Sequence, residues 1–93
     1  MKHNKQIHVL FEGQVQGVGF RYTVQHIAHS YKVTGYVRNL MDGNVELSAE
    51  GEEGELEQFV TAICDSPLKN YIRHCERSWR EASGAYERFT IAF

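Results

Sequence analysis

The chain has 93 residues, 42% of them apolar and 24% charged, a composition that fits one soluble globular domain over residues 1–93. A chain of this size buries about 60–65% of its unfolded surface, so a large cofactor is not expected and any site has to be shallow. Ten basic and twelve acidic residues leave a formal charge of −2, which exerts no general pull on nucleic acid or an anionic membrane and confines any anion attraction to a local cluster.

Taken in chain order, Ile7, Val9 and Phe11 alternate on one face and predict a first strand over 7–12. The glycine-rich stretch Gly13–Tyr22 follows. Phe20, Val24, Ile27, Ala28 and Tyr31 then recur at helical spacing, predicting an amphipathic helix of about three turns. Strand character returns over 33–39, with Val33 and Val37 on one side and Tyr36 on the other. Asp42-Gly43 reads as a hairpin turn, because both residue types tolerate the positive φ that such turns use. In 44–50, Val45, Leu47 and Ala49 alternate with Glu46, Ser48 and Glu50, so the acidic residues are expected to face out, and Gly51 is expected to end the strand. Glu52, Glu53 and Glu55 open a second helix, where the positive end of the helix dipole favours carboxylates. Its apolar stripe is Leu56, Phe59, Val60, Ile63 and Cys64, and Ser66-Pro67 ends it, since proline cannot continue the hydrogen-bond ladder. A strand over 71–79, a loop over 82–85 and a last strand carrying Phe89, Ile91 and Phe93 complete the chain.

Strand, helix, strand, strand, helix, strand is the split βαβ order of an α+β, ferredoxin-like sandwich, with two helices on one face of an antiparallel sheet. No apolar run approaches a membrane span of about 18 residues, and Met1 to Gln6 lead into no signal-peptide core, so the cytoplasm is expected. The same fold hosts many unrelated functions, so the chemistry has to come from a site.

Gly13, Gly17 and Gly19 lie between the first strand and the first helix. Freed of Cβ atoms, such a loop can turn successive N–H groups into one concavity, and the helix start adds its own unpaired N–H groups. Arg21, in the first helical turn, contributes a planar guanidinium fork suited to two oxygens of a phosphate. The expected cradle is the backbone of Val15, Gln16, Gly17, Val18, Gly19 and Phe20. No Gly-Lys-Ser/Thr is present for a Walker loop, and Tyr22 stands where a dinucleotide fingerprint beginning at Gly17 needs a small residue. From the glycines alone, a purely structural turn beside an exposed arginine remains open.

Other candidates read as ordinary structure. His26 and His29 share a helix face without further ligands nearby in sequence, and a metal site needs three or four. His3, His8 and His74 have no readable partner. Cys64 and Cys75 are too few and too far apart for a disulfide framework or a zinc site; both are expected to be reduced, with Cys64 in the core. The carboxylates from Glu50 to Glu57 read as a helix start and a solvated face. Tyr36 and Arg38 read as solvent-facing sheet positions, and no Gly-x-Ser-x-Gly elbow provides a nucleophile. An RNA-binding sheet using Tyr36 and Trp79 lacks both the aromatic signature and the positive charge of such modules.

Gly13-Gln14-Val15-Gln16-Gly17-Val18-Gly19-Phe20-Arg21 resembles the first signature of the acylphosphatases, and Gly35-Tyr36-Val37-Arg38-Asn39, continuing through Gly43, Val45 and Gly51, is similar to their second. The resemblance spans nearly the whole chain, although 71–93 adds little to it. It implies a ferredoxin-like fold and hydrolysis of small acyl phosphates to carboxylate and inorganic phosphate. It also implies that Arg21 binds phosphate and Asn39 positions the attacking water. An acyl phosphate expels a carboxylate with a pKa near 4, so no general acid is required. Neither a metal, a cofactor nor a covalent phosphoenzyme is expected, and nothing calls for more than a monomer. The competing expectations are a non-catalytic module that binds phosphate or acyl phosphate, and a relative of the acylphosphatase-like domain of larger carbamoyl-transfer proteins.

Overall fold

The computed structural model describes residues 3–93. Its elements are β1 (Asn4–Gly13), α1 (Phe20–Ala28), β2 (Thr34–Asn39), β3 (Val45–Glu52), α2 (Glu53–Asp65), one 3-10 turn (Pro67–Asn70), β4 (Ile72–Glu81) and β5 (Phe89–Ala92). The strands form one sheet in the order β4-β1-β3-β2-β5. The first four pair antiparallel, while β5 adds a parallel edge along β2. The sheet is therefore mixed, a refinement of the all-antiparallel expectation.

Both helices cover the face that carries Ile7, Val9 and Phe11 of β1, Val45, Leu47 and Ala49 of β3, and Val37 of β2, all fully buried. The helices answer with Phe20, Val24 and Ala28, and with Leu56, Phe59, Val60 and Ile63. Each large apolar side chain so buried contributes about 1.5–3 kcal/mol. Cys64 is only partly buried, packing at the edge of this core, and burial pushes its thiol pKa up.

Several local expectations change. Gly51 does not end β3: the strand runs on to Glu52, Lys5 pairs with Gly51, and α2 begins directly afterwards. The hairpin turn is a five-residue connection, 40–44, in which Gly43 alone has positive φ (94°). Asp42 instead uses its carboxylate, accepting the N–H of Asn44 at 3.0 Å. Helix α1 ends at Ala28, so Tyr31 reaches the core from the following turn, its ring 5.9 Å from that of Phe59. Phe93 lies beyond β5 and is exposed rather than part of an apolar strand face.

The largest surprise is the open face. Ser48 and Glu50, expected to face solvent, are each only 4% exposed. Strand order explains this. β4 and β5 occupy opposite edges, so the connection after Glu81 has to cross four strand spacings, about 19 Å. It crosses on the open face and is pinned there by Glu50, whose carboxylate accepts Ser83 N–H (2.8 Å), Ser83 Oγ (2.8 Å), Gly84 N–H (3.0 Å) and Gln6 Nε2 (2.6 Å). Burial alone raises a carboxyl pKa; here the hydrogen bonds, led by Ser83, outweigh it and hold Glu50 below its ordinary value.

Candidate active site

The sheet register brings the two sequence signatures together. Val45 pairs with Phe11 on one side and Asn39 on the other, so the ends of β1 and β2 meet at one end of the sheet. Phe11 and Val45 face the helices, and Asn39 shares their row and therefore their side. From that end the chain leaves β1 through Gln14–Gly19 and enters α1.

Apolar side chains secure this loop while its backbone stays open. Val15 is fully buried and Phe20 is 2% exposed, with the Phe20 ring 5.1 Å from that of Phe11. Between these anchors, Gly17 (φ 79°) and Gly19 (φ 77°) adopt the left-handed conformation that costs glycine least. Gly19 is also the N-cap of α1, with no side chain to satisfy the helix start. Thr23 donates the first helical hydrogen bond, to Gly19 O at 3.0 Å. The N–H groups just before it at the helix start thus lie outside the helical ladder and carry the positive end of the helix dipole.

Val15, Gly17, Gly19, Phe20, Arg21, Tyr22 and Asn39 line one small cavity of about 110 Å³. Arg21 forms no ion pair among the described residues; its guanidinium stands 5.2 Å from the ring centroid of Phe93. The Asn39 carboxamide likewise has no hydrogen-bond partner among the described residues. Two of the expected cradle residues do not line this cavity. Val18 packs against the core, and the Gln16 side chain reaches to the β2–β3 connection. A larger hollow of about 620 Å³, between Tyr31 and the outer face of α2, is lined by Gly54, Glu57, Gln58, Thr61, Ala62 and Asp65 and holds no cation to meet an anion.

The open face has a polar cluster that the sequence did not disclose. Glu46 accepts from Arg38 Nε at 2.6 Å and Tyr36 Oη at 3.2 Å, and its second oxygen lies 2.8 Å from His8 Nε2. Burial raises the Glu46 pKa, but the bonds to His8 and Arg38 prevail and keep it below the ordinary carboxyl value. The partner of His8 comes from a neighbouring strand, diagonal across the β1–β3 register, and no local spacing signals it. His26 and His29 are solvent-exposed, their rings 6.3 Å apart. Among the described residues, no three His, Cys, Asp or Glu side chains gather as a metal site, and no helix is long and apolar enough to cross a membrane.

Comparison with known proteins identifies the family. The acylphosphatase from Methanospirillum hungatei is 52% identical over 88 residues, covering 94% of this chain and 96% of its own. That from Bacillus velezensis is 52% identical over 89 residues, covering 95% and 98%. The crystal structure of acylphosphatase from Bacillus subtilis superimposes with a TM-score of 0.87 at 38% identity, over 96% of this chain and 99% of that one. Full-length HypF, in a phosphate- and nucleotide-bound form, matches all of this chain with a TM-score of 0.85 at 28% identity, but through only 12% of its own length. The acylphosphatase family model matches residues 7–91, and the chain belongs to the acylphosphatase family of enzymes.

Proposed function

We propose that this acylphosphatase works through Arg21, the backbone of 15–20 and Asn39, and that its substrates are small acyl phosphates free in the cytoplasm. The loop amides and Arg21 hold the phosphoryl oxygens and offset their charge. The Asn39 carboxamide oxygen accepts a hydrogen bond from water and aims it in line with the leaving oxygen. Water oxygen bonds to phosphorus as the phosphorus–acyl oxygen bond breaks, and the carboxylate leaves with the bonding pair. A neutral amide is no useful base, so the water proton passes to a phosphoryl oxygen. The products are a carboxylate and inorganic phosphate, and no step draws on a metal or a covalent intermediate.

The observation that carries this reading is the company Arg21 keeps. A cation without a carboxylate partner among the described residues shares one small cavity with an open helix start and the amide of Asn39. The cavity leaves the acyl group outside, which suits a single-domain, monomeric enzyme that reads phosphate and little else. Hydrolysis of benzoyl phosphate in ¹⁸O-water tests the step directly. Attack on phosphorus puts the label in inorganic phosphate and none in benzoate; label in benzoate overturns it. Activity that a chelator abolishes overturns the metal-free mechanism.

A further inference from the structure

Gln16 belongs to the glycine-rich loop, yet its side chain does not line the cavity. Its Nε2 donates to Leu40 O at 2.7 Å and to Asn44 O at 2.8 Å, using both amide hydrogens. Leu40 and Asn44 are the residues that close the β2–β3 connection, joined to each other by Leu40 N–H donating to Asn44 O at 2.8 Å. Leu40 directly follows Asn39. One loop side chain therefore grips the hairpin at the peptide beside the proposed water-positioning residue.

We propose that Gln16 is a positioning residue for the hydrolysis: its carboxamide clamps the phosphate-holding loop to the hairpin and fixes how far Asn39 stands from the bound phosphoryl group. The inference rests on the reading of Asn39 given above. The clamp joins the loop to the hairpin at the end of the sheet where both leave it. On one side the loop turns at exposed glycines 17 and 19; on the other, Asn39 is followed by an exposed turn, 41–43. The buried Val15 holds the backbone beside Gln16, so the clamp springs from a fixed point. In-line attack tolerates little displacement, since about 1 Å of misplacement can cost about 100-fold in rate. Glutamine suits the task because one planar NH₂ group offers two donors to two carbonyls without adding charge beside a phosphate.

The test is a double-mutant cycle between Gln16→Met and Asn39→Ala, read as kcat on benzoyl phosphate and as the inhibition constant of inorganic phosphate. Gln16→Met is expected to lower kcat about tenfold while the phosphate constant stays within about twofold, because the cradle is intact and Asn39 is misplaced. In the Asn39→Ala background the same change is expected to cost less than about twofold, the amide it positions being already gone. Gln16→Asn keeps the carboxamide one methylene short and is expected to repeat both results. Retained phosphate affinity shows that the variants are folded. An equal loss in both backgrounds, a loss carried by phosphate affinity, an unchanged kcat or two unfolded Gln16 variants overturns the clamp while leaving Asn39 in place. An Asn39→Ala enzyme with wild-type kcat overturns the role of Asn39 and the clamp together.

Discussion

Arg21 and Arg38 carry the same guanidinium into opposite circumstances. Arg38, on the open face, donates to Glu46 at 2.6 Å, so its charge is spent inside the protein, within a cluster shared with His8 and Tyr36. Arg21, at the loop end, forms no ion pair among the described residues and has the face of Phe93 as its charge contact; the proposed mechanism gives that charge to the phosphoryl group. Positive charge alone does not mark a candidate site, nor does the lack of an ion pair; Arg21 differs in sharing one small cavity with an open helix start and Asn39. The same contrast separates the two regions. On the open face Glu46 and Glu50 are paired with neighbouring groups, whereas at the loop end, among the described residues, Arg21 forms no ion pair and the Asn39 carboxamide has no hydrogen-bond partner.

The widest gap between the two regions should appear in catalysis. Arg21→Ala is expected to lower kcat/KM on an acyl phosphate by at least about 10²–10³, the usual cost of deleting one preorganised donor. Arg38→Ala is expected to leave kcat/KM within about twofold, because no reacting atom touches it. Comparable losses from the two would erase the distinction. Next in size is Asn39→Ala, expected to lower kcat by about 10² while changing KM and phosphate inhibition far less, as steady-state kinetics can resolve.

A smaller effect, in stability, belongs to the open face. Glu50→Ala is expected to cost about 1–3 kcal/mol, since it removes the buried carboxylate that accepts from Ser83, Gly84 and Gln6 and ties the crossing loop to the sheet, with kcat unchanged. Chemical denaturation measures the first and benzoyl phosphate turnover the second. The pH dependence follows in sign. A folded-state pKa below the ordinary value, as held for both Glu50 and Glu46, adds stability that is full above the unfolded carboxyl pKa. That stability drains away as pH falls through the lower folded value. Stability should therefore drop on acidification below about pH 4.5. Glu50→Gln should flatten that decline, and an undiminished slope in thermal melts would show that Glu50 is not its source.

The contrast also explains what could be read from the sequence. Local signals placed both helices, the β3 alternation and the proline stop, because periodicity is written in neighbouring residues. The glycines around Arg21 were legible for the same reason. Gly51 misled because a glycine at a strand end also permits close approach: Lys32 O lies 2.7 Å from where a Cβ at Gly51 would stand. Glu50 and Glu46 were misread as solvated because the groups that cover or pair with them come from Ser83 and Gly84, or from His8 on another strand. Those contacts depend on strand order, which no window of sequence encodes. Gln16 was legible as a loop residue, but the reach of its side chain to Leu40 and Asn44 was not.

The most direct test of the central claim pairs the two arginines in one measurement, kcat/KM for benzoyl phosphate in Arg21→Ala and Arg38→Ala enzymes with matched thermal stability. The expected result is a loss of at least about 100-fold for Arg21→Ala and under about twofold for Arg38→Ala. An Arg21→Ala enzyme within a few-fold of wild type would contradict it.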